Sequence, residues 1–526
     1  MPYLNTQEVT TKLEILSLQY PTMCQRITLP FTTSEGRISH AIRIRAGARP
    51  YRPAVLLIGC VHAREWGSAD ILVALAETLL AAYQANSGAS FLSKTYTANE
   101  IRDMMETVDL IIFPVVNPDG RTYSQTVDAW WRKNRAPTSQ TGVLGTDVNR
   151  NFDFLWDFRR HFAPGLFPAS DDPTWGTFHG SSPESEAETK NVKHIANTYP
   201  NIRFFVDVHS YSELILYPWG DDANQSTDPN QHFLNVAFDG ARGHVSDTAY
   251  REFIVPEEAA RHQNIAQRMN GALQQARGRN YFIGPIASSL YIVSGASTDY
   301  MRGRHLSQPN LRKIDSFLIE WGKQFQPPYS EMENIIQEVS AALIELCRAA
   351  SDTPLIDKTP NPLNFGLVRI GTGKLLLLTV RNVGVGSIEL TSIQAQGAGF
   401  STTIGSVASI PEGGSAVIPV SFAPTPNGPV TGRLSFQFKR SGGVLVDVDS
   451  VALLGAKCSV SNQDCVAPVF GGSGWLGCLL LASVLWPVIA LMSLFIWIPG
   501  VRCAVLQLWF RIRNCREGNT HPCRHL

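Results

Sequence analysis

Short apolar runs alternate with amphipathic stretches from the start of the chain to about residue 350. Ala54–Cys60 is apolar throughout and predicts a strand covered on both faces. Ser68–Gln84 follows, with Ile71, Leu72, Leu75, Leu79 and Leu80 at helical spacing. Val108–Val116 repeats the strand pattern and runs into Asn117-Pro-Asp-Gly120, which reads as a turn. Phe204–Val208 predicts a third strand, ending at His209, and Glu184–Tyr199 and Glu331–Ala350 predict helices. Strands separated by helices imply an α/β layer fold with a largely buried sheet. Open sheets of that kind place ligands beyond their strand ends, where both His62 and His209 fall.

The pattern changes after Arg348. Residues 351–364 are Pro-rich (Pro354, Pro360, Pro362) and read as a linker. Residues 365–456 carry short β-like runs, Leu375–Val380, Ala416–Phe422, Arg433–Phe438 and Leu445–Val451, parted by Gly- and Ser-rich turns, which predicts a β-sandwich. A Cys- and Gly-containing linker, 457–474, leads to Trp475–Ile498, which carries no charge and exceeds the roughly 20 residues a bilayer span needs. Trp475, Trp497 and Trp509, with Arg502, Arg511, Arg513 and Arg516 beyond, mark 475–498 as a transmembrane helix and 499–526 as a basic tail.

The positive-inside rule then puts the tail in the cytoplasm and the rest of a membrane-associated protein outside it. The first thirty residues nevertheless hold Glu8, Lys12, Glu14 and Arg26 and no apolar signal core. A cytosolic tail-anchored arrangement and a Gly471–Gly474 surface-sorting tail, with the helix removed after export, are the alternatives.

Composition adds exclusions. At 526 residues the chain has room for about two to four domains. Lys+Arg and Asp+Glu both total 45, so no net field draws it to nucleic acid, and a substrate must be recognised by placed groups. Cys24, Cys60 and Cys347 read as single buried thiols, and Cys458 and Cys465 could close a small loop outside the cytoplasm. No CxxC pair offers a cysteine zinc site.

His62-Ala-Arg-Glu65 carries the chemistry. An imidazole and a carboxylate three residues apart, where a buried strand gives way to a helix, supply two ligands of a His₂Glu hydrolytic zinc, and His209 is the candidate third. A lone His-x-x-Glu is weak evidence among 12 histidines, so the weight falls on its companions. Trp131-Arg132-Lys133-Asn134-Arg135 and Asp147-Val-Asn149-Arg150-Asn151 offer arginine forks suited to a carboxylate.

Taken together, His62-x-x-Glu65, Asn117-Pro-Asp-Gly120, Trp131-Arg132-Lys133, Asp147-x-Asn149-Arg150-Asn151, His209-Ser-Tyr, Leu290-Tyr291 through Asp299 and Ser316-Phe-Leu-Ile-Glu320 resemble, in order, the motifs of zinc carboxypeptidases of the A/B type. The resemblance covers about residues 5 to 348. It implies a three-layer fold with a mixed sheet in a catalytic domain spanning 1–350. One Zn²⁺ per chain would be held by His62, Glu65 and His209, with Asp147 orienting His62. It further implies Glu320 as general base, Arg132 as oxyanion stabiliser, Asn149, Arg150 and Tyr291 as the clamp on the substrate's terminal carboxylate, and Arg64 as a contact further along the peptide.

The substrate implied is the C-terminus of a peptide or protein. Thr298, with Leu216, Val293 and Ala296, would line the pocket for the terminal side chain and favour neutral apolar or aromatic residues; Asp221 and Asp222 nearby would argue otherwise. One departure stands out. The stretch from Asp299 to Glu320 is longer than the family leads one to expect, with Met301–Asn310 inserted, and Glu331 and Glu333 compete with Glu320 by spacing. The 365–456 segment resembles Ig-like appended domains. The alternative functions are a zinc peptidase acting on cell-wall peptides and a surface-adhesion protein with an inactive peptidase domain.

Overall fold

A computed structural model describes residues 3–458 apart from 245–248, 309–310, 425–430 and 444–445. The expected transmembrane helix, basic tail, Gly471–Gly474 and Cys465 lie outside the described residues. Among the described residues no helix is long and apolar enough to cross a membrane.

The centre is an eight-stranded mixed sheet. Ala54–Gly59 runs parallel to Asp109–Phe113 on one side and to Ile202–His209 on the other. Asp315–Glu320 continues parallel to Ile202–His209, then pairs antiparallel with Leu214–Tyr217. Cys24–Thr28 and His40–Ile44 form an antiparallel edge. Both faces are covered, which explains the unbroken apolar runs. Val55, Leu57, Leu110, Ile112, Val206 and Phe317 pack under the helices Thr6–Gln19, Gly67–Gln84, Pro256–Arg277 and Tyr329–Ser351. The alternate residues Leu56, Ile58, Ile111 and Phe205 pack with Val192 and Ile195 of the helix Ala187–Thr198 and with Met301 of the helix Ser297–Ser307.

Two predicted boundaries shift. Asn117-Pro-Asp-Gly120 is a helix start rather than a free turn: Asn117 caps Pro118–Thr126, its Oδ1 accepting from Gly120 N at 2.9 Å. Its Nδ2 donates to the carbonyls of Val61 and Lys133 at 3.2 and 3.1 Å, tying the His62 turn to the Arg132 segment. The Pro-rich 351–364 stretch is not an unpaired linker, because it contains the strand Ile356–Thr359 and the start of Leu363–Arg369. Its prolines fall before and between those strands, where no ladder hydrogen bond is lost.

From Ile356 on, two sheets share one core. A four-stranded sheet contains Ile356–Thr359, Lys374–Asn382, Ser415–Phe422 and Phe400–Thr402, and a five-stranded sheet contains Leu363–Arg369, Val446–Cys458, Thr431–Arg440, Ile388–Gln396 and Val407–Ile410. Leu378, Val380, Ile418 and Val420 of the first meet Leu390, Leu434, Phe436 and Leu453 of the second. Cys24, Cys60 and Cys347 are buried free thiols, as expected.

Candidate active site

The three central parallel strands end together. Gly59 lies opposite Val208, and His209 opposite Glu320, so the residues that follow Gly59 and those that close the other two strands converge at one edge of the sheet. Cys60 takes a left-handed φ of 51°, at a cost of about 1–2 kcal/mol for a residue with a Cβ. There the chain leaves the strand and turns His62 and Glu65 back toward His209.

His62 Nδ1 stands 2.8 Å from Glu65 Oε1, His209 Nδ1 stands 2.9 Å from Glu65 Oε2, and the two Nδ1 atoms are 3.0 Å apart. All three residues are buried, and their ligand atoms lie within 4.8 Å of one another. Two imidazole nitrogens turned toward each other share a single proton at best, whereas both lone pairs and a carboxylate oxygen suit one zinc ion. The donor set therefore fits the expected metal. Burial works against the Glu65 carboxylate, but His62 and His209 hold its pKa below the usual range.

Each histidine has a carboxylate behind it. Asp147 Oδ1 lies 3.2 Å from His62 Nε2 and accepts Asn149 N at 3.0 Å, while Arg132 Nε and Nη2 approach Asp147 Oδ2 at 3.1 and 2.9 Å. Burial opposes the Asp147 charge, but Arg132 and His62 drive its pKa well below 3.8. Asp207 Oδ2 lies 2.9 Å from His209 Nε2 and accepts Ser297 Oγ at 2.6 Å. Such partners fix the ring orientation of ligating histidines. Asp207 escaped the sequence reading, although its signal was present: an aspartate two residues before a strand histidine shares that histidine's face.

Glu320 is 8 % exposed, its Oε2 has no hydrogen-bond partner, and burial pushes its pKa up to about 8. Trp321 N donates to His209 O at 2.9 Å, which holds the end of the Glu320 strand against the ligand. Glu331 and Glu333 lie instead in the helix Tyr329–Ser351, with Glu331 paired to Arg277.

Arg64, Arg132, Arg150 and Tyr291 line one cleft of about 600 Å³ with Trp130, Lys133 and Trp175. The Arg150 guanidinium is bonded to the carbonyls of Pro168 and Asn149, both at 2.9 Å, and Tyr291 lies across it at 5.7 Å. Asn149 Oδ1 accepts Ser297 N at 2.8 Å. Gly295 makes this approach feasible: it has φ +66°, and a Cβ there would stand 2.1 Å from Arg150 O. Arg64 stacks over Phe325 at 4.1 Å. Arg135, in the same motif as Arg132, lies over Tyr123 and Trp131 at 3.7 and 4.7 Å and supports the segment rather than the cleft.

Leu216, Val293 and Ala296 form a buried apolar cluster with Leu214, Ile286 and Leu318, and Thr298 is fully buried with its hydroxyl unpartnered. Asp222 accepts the amides of Asn224 and Gly243, both at 2.8 Å. Asp221 is fully buried; burial raises its pKa to about 6, in a field shared with Glu252, Asp222 and Arg242.

Residues 9–342 match the zinc carboxypeptidase family. Among relatives, metallocarboxypeptidase A of Trichophyton tonsurans is 32% identical over 271 residues, covering 51% of this chain and 52% of that protein. Carboxypeptidase A2 of Rattus norvegicus is 28% identical over 298 residues, covering 57% and 59%. The chain spans about half the length of the relatives it matches. The solved structure of bovine thrombin-activatable fibrinolysis inhibitor in complex with tick carboxypeptidase inhibitor shares the fold, with a TM-score of 0.51 at 22% identity over 66% of this chain and 97% of that one. The family match covers more than half of the chain and includes the whole convergence of His62, Glu65, His209 and Glu320, and the chain belongs to the zinc carboxypeptidase family.

Proposed function

We propose that this protein is a metallocarboxypeptidase that removes the last residue of peptides or proteins, with His62, Glu65 and His209 holding one zinc ion. The observation that carries the reading is the pairing of this trio with Arg150, a buried arginine that faces the neighbouring cleft and whose hydrogen bonds go to carbonyls rather than to a carboxylate. Arg150 receives the substrate's terminal carboxylate in charge-assisted bonds, with Asn149 and Tyr291 beside it. That contact sets the last peptide bond over the metal and leaves internal bonds misplaced.

Zinc, when bound, supplies Lewis acidity that polarises a carbonyl and acidifies water. Glu320 takes a proton from the attacking water and delivers it to the leaving amine, and its burial keeps the basicity that task needs. Arg132, steadied by Asp147, faces the negative charge that develops on the carbonyl oxygen. Arg64 contacts the peptide upstream of the cut. Asp147 and Asp207 hold the two imidazoles in register.

The apolar cluster around Leu216, Val293 and Ala296, with the uncharged Thr298 two residues further along the chain, supports a preference for neutral apolar or aromatic terminal residues. Faster release of Arg or Lys than of Phe or Leu from matched peptides would refute that preference. We read 356–458 as an Ig-like module. We also read 475–498, on sequence alone, as a membrane attachment that leaves the catalytic domain outside the cytoplasm; protease access in intact cells decides the sidedness.

The deciding experiment assays the full chain on a blocked dipeptide with and without a zinc chelator. Glu320→Gln should lower turnover by about 10²–10⁴-fold while zinc stays bound. Full activity in that variant would remove Glu320 from the mechanism, and chelator-resistant hydrolysis would remove the metal.

A further inference from the structure

The sandwich meets the catalytic domain through a buried ionic seam. Asp447, fully buried in the sandwich strand Val446–Cys458, accepts Arg203 Nη2 at 2.6 Å on one oxygen and Lys313 Nζ on the other. Lys313 also donates to the carbonyl of Val448 at 2.7 Å and to Glu258 Oε1 at 2.9 Å. Both cations are themselves nearly buried, with side-chain exposures of 6% for Arg203 and 9% for Lys313.

Their positions in the sheet give the seam its meaning. Arg203 is at the start of the strand Ile202–His209, and Lys313 stands just before the strand Asp315–Glu320. These strands are parallel neighbours, in register from Phe204 opposite Asp315 to His209 opposite Glu320. One sandwich carboxylate therefore spans the starts of the two strands whose far ends carry a metal ligand and the base. Arg203 and His209 share a face of their strand, roughly 20 Å apart at about 3.3 Å per residue.

A second observation concerns the stretch between Asp299 and Glu320. It completes the helix Ser297–Ser307 and then brings Arg312 and Lys313 to the start of the strand Asp315–Glu320. Arg312 pairs with Asp357 and donates to the carbonyl of Ile356 at 3.0 Å, so this stretch reaches the sandwich twice.

We propose that Asp447 is a positioning residue for the reaction, and that the sandwich sets the spacing between Glu320 and His209 by holding the starts of their strands together. The proposal rests on the carboxypeptidase reading above. Without the Asp447 charge, Arg203 and Lys313 become neighbouring buried cations that repel and seek water, and the strand starts splay. A hydrogen-bonded strand passes that displacement to its other end, where an error of about 1 Å can cost on the order of 10²-fold in rate.

The test uses the full chain with Asp447→Asn, Lys313→Met and Lys313→Arg. For each, kcat and KM on a blocked dipeptide ending in Phe, zinc content, and hydrogen exchange at amides 206–210 and 317–321 are measured well below the melting temperature. Asp447→Asn and Lys313→Met should lower kcat by about tenfold or more, with KM and zinc content unchanged, and should speed exchange at both strand ends; Lys313→Arg should restore both. Wild-type kcat with only a lowered melting temperature, or faster exchange confined to the sandwich strands, overturns the proposal. If Asp447→Asn does not fold, the two Lys313 variants decide alone. Chelator-resistant or absent turnover in the unsubstituted chain would defeat the carboxypeptidase reading, while the exchange comparison would still judge Asp447.

Discussion

Arg150 and the ligand trio carry the sharpest predictions at the scale of single residues. A hydrogen bond to a charged group contributes about 1.5–3 kcal/mol. Arg150→Met should therefore lower kcat/KM for a free C-terminus about 10- to 100-fold with zinc content unchanged. The same variant should lose most of its discrimination against a C-terminal amide, so a Michaelis comparison of acid and amide substrates checks it. The trio predicts a metal-dependent stability. A ligand held only by the folded state at 1,000 times its Kd adds about 4 kcal/mol, so chelation should lower the melting temperature in calorimetry, and Glu65→Gln should shrink that difference.

At the scale of elements, Asn117 does two jobs at once. Its cap contributes about 1 kcal/mol, and its amide satisfies two buried carbonyls beside the ligand turn and the Arg132 segment. Asn117→Ala should then cost about 2–4 kcal/mol, read as a lower denaturation midpoint, with weaker zinc retention because the Val61 carbonyl adjoins His62. The Asn-Pro-Asp-Gly signature was legible as a break in the chain, but not as a cap. The distinction depends on what the asparagine amide meets across the fold, and those partners are Val61 and Lys133. The strand Ile356–Thr359 was hidden for a related reason. It is short and proline-flanked, and only its pairing with Lys374–Asn382 makes it a strand.

The whole molecule adds a pH dependence. Burial disfavours the Asp447 charge, but Lys313, Arg203 and Arg261 outweigh it and hold the pKa well below 3.8. A depressed native pKa contributes stability that is complete above the unfolded value of about 3.9 and is lost as pH falls through the native value. Acid should therefore loosen the sandwich from the α/β domain, and Asp447→Asn should flatten the acid limb of a stability–pH curve. A chain ending at Asp352 should be markedly less stable than the full chain, because Arg203 and Lys313 lose their sandwich partner. Calorimetry of the two lengths checks this.

By itself the sequence determined the α/β layering and the β-rich C-terminal region, and it named His62, Glu65 and His209, which the fold brings together. Period-2 and period-3.6 patterns report which faces are buried, His62-Ala-Arg-Glu65 has the spacing of a ligand pair, and the resemblance to zinc carboxypeptidases singles out Arg132, Arg150 and Glu320. Tertiary structure alone decided that the Asn117 amide meets Val61 and Lys133, that Ile356–Thr359 pairs with Lys374–Asn382, and that Asp447 joins two strands from another part of the chain. These are pairings between residues tens to hundreds of positions apart. They exist only once strand register and the docking of the sandwich are set, and no local periodicity encodes either.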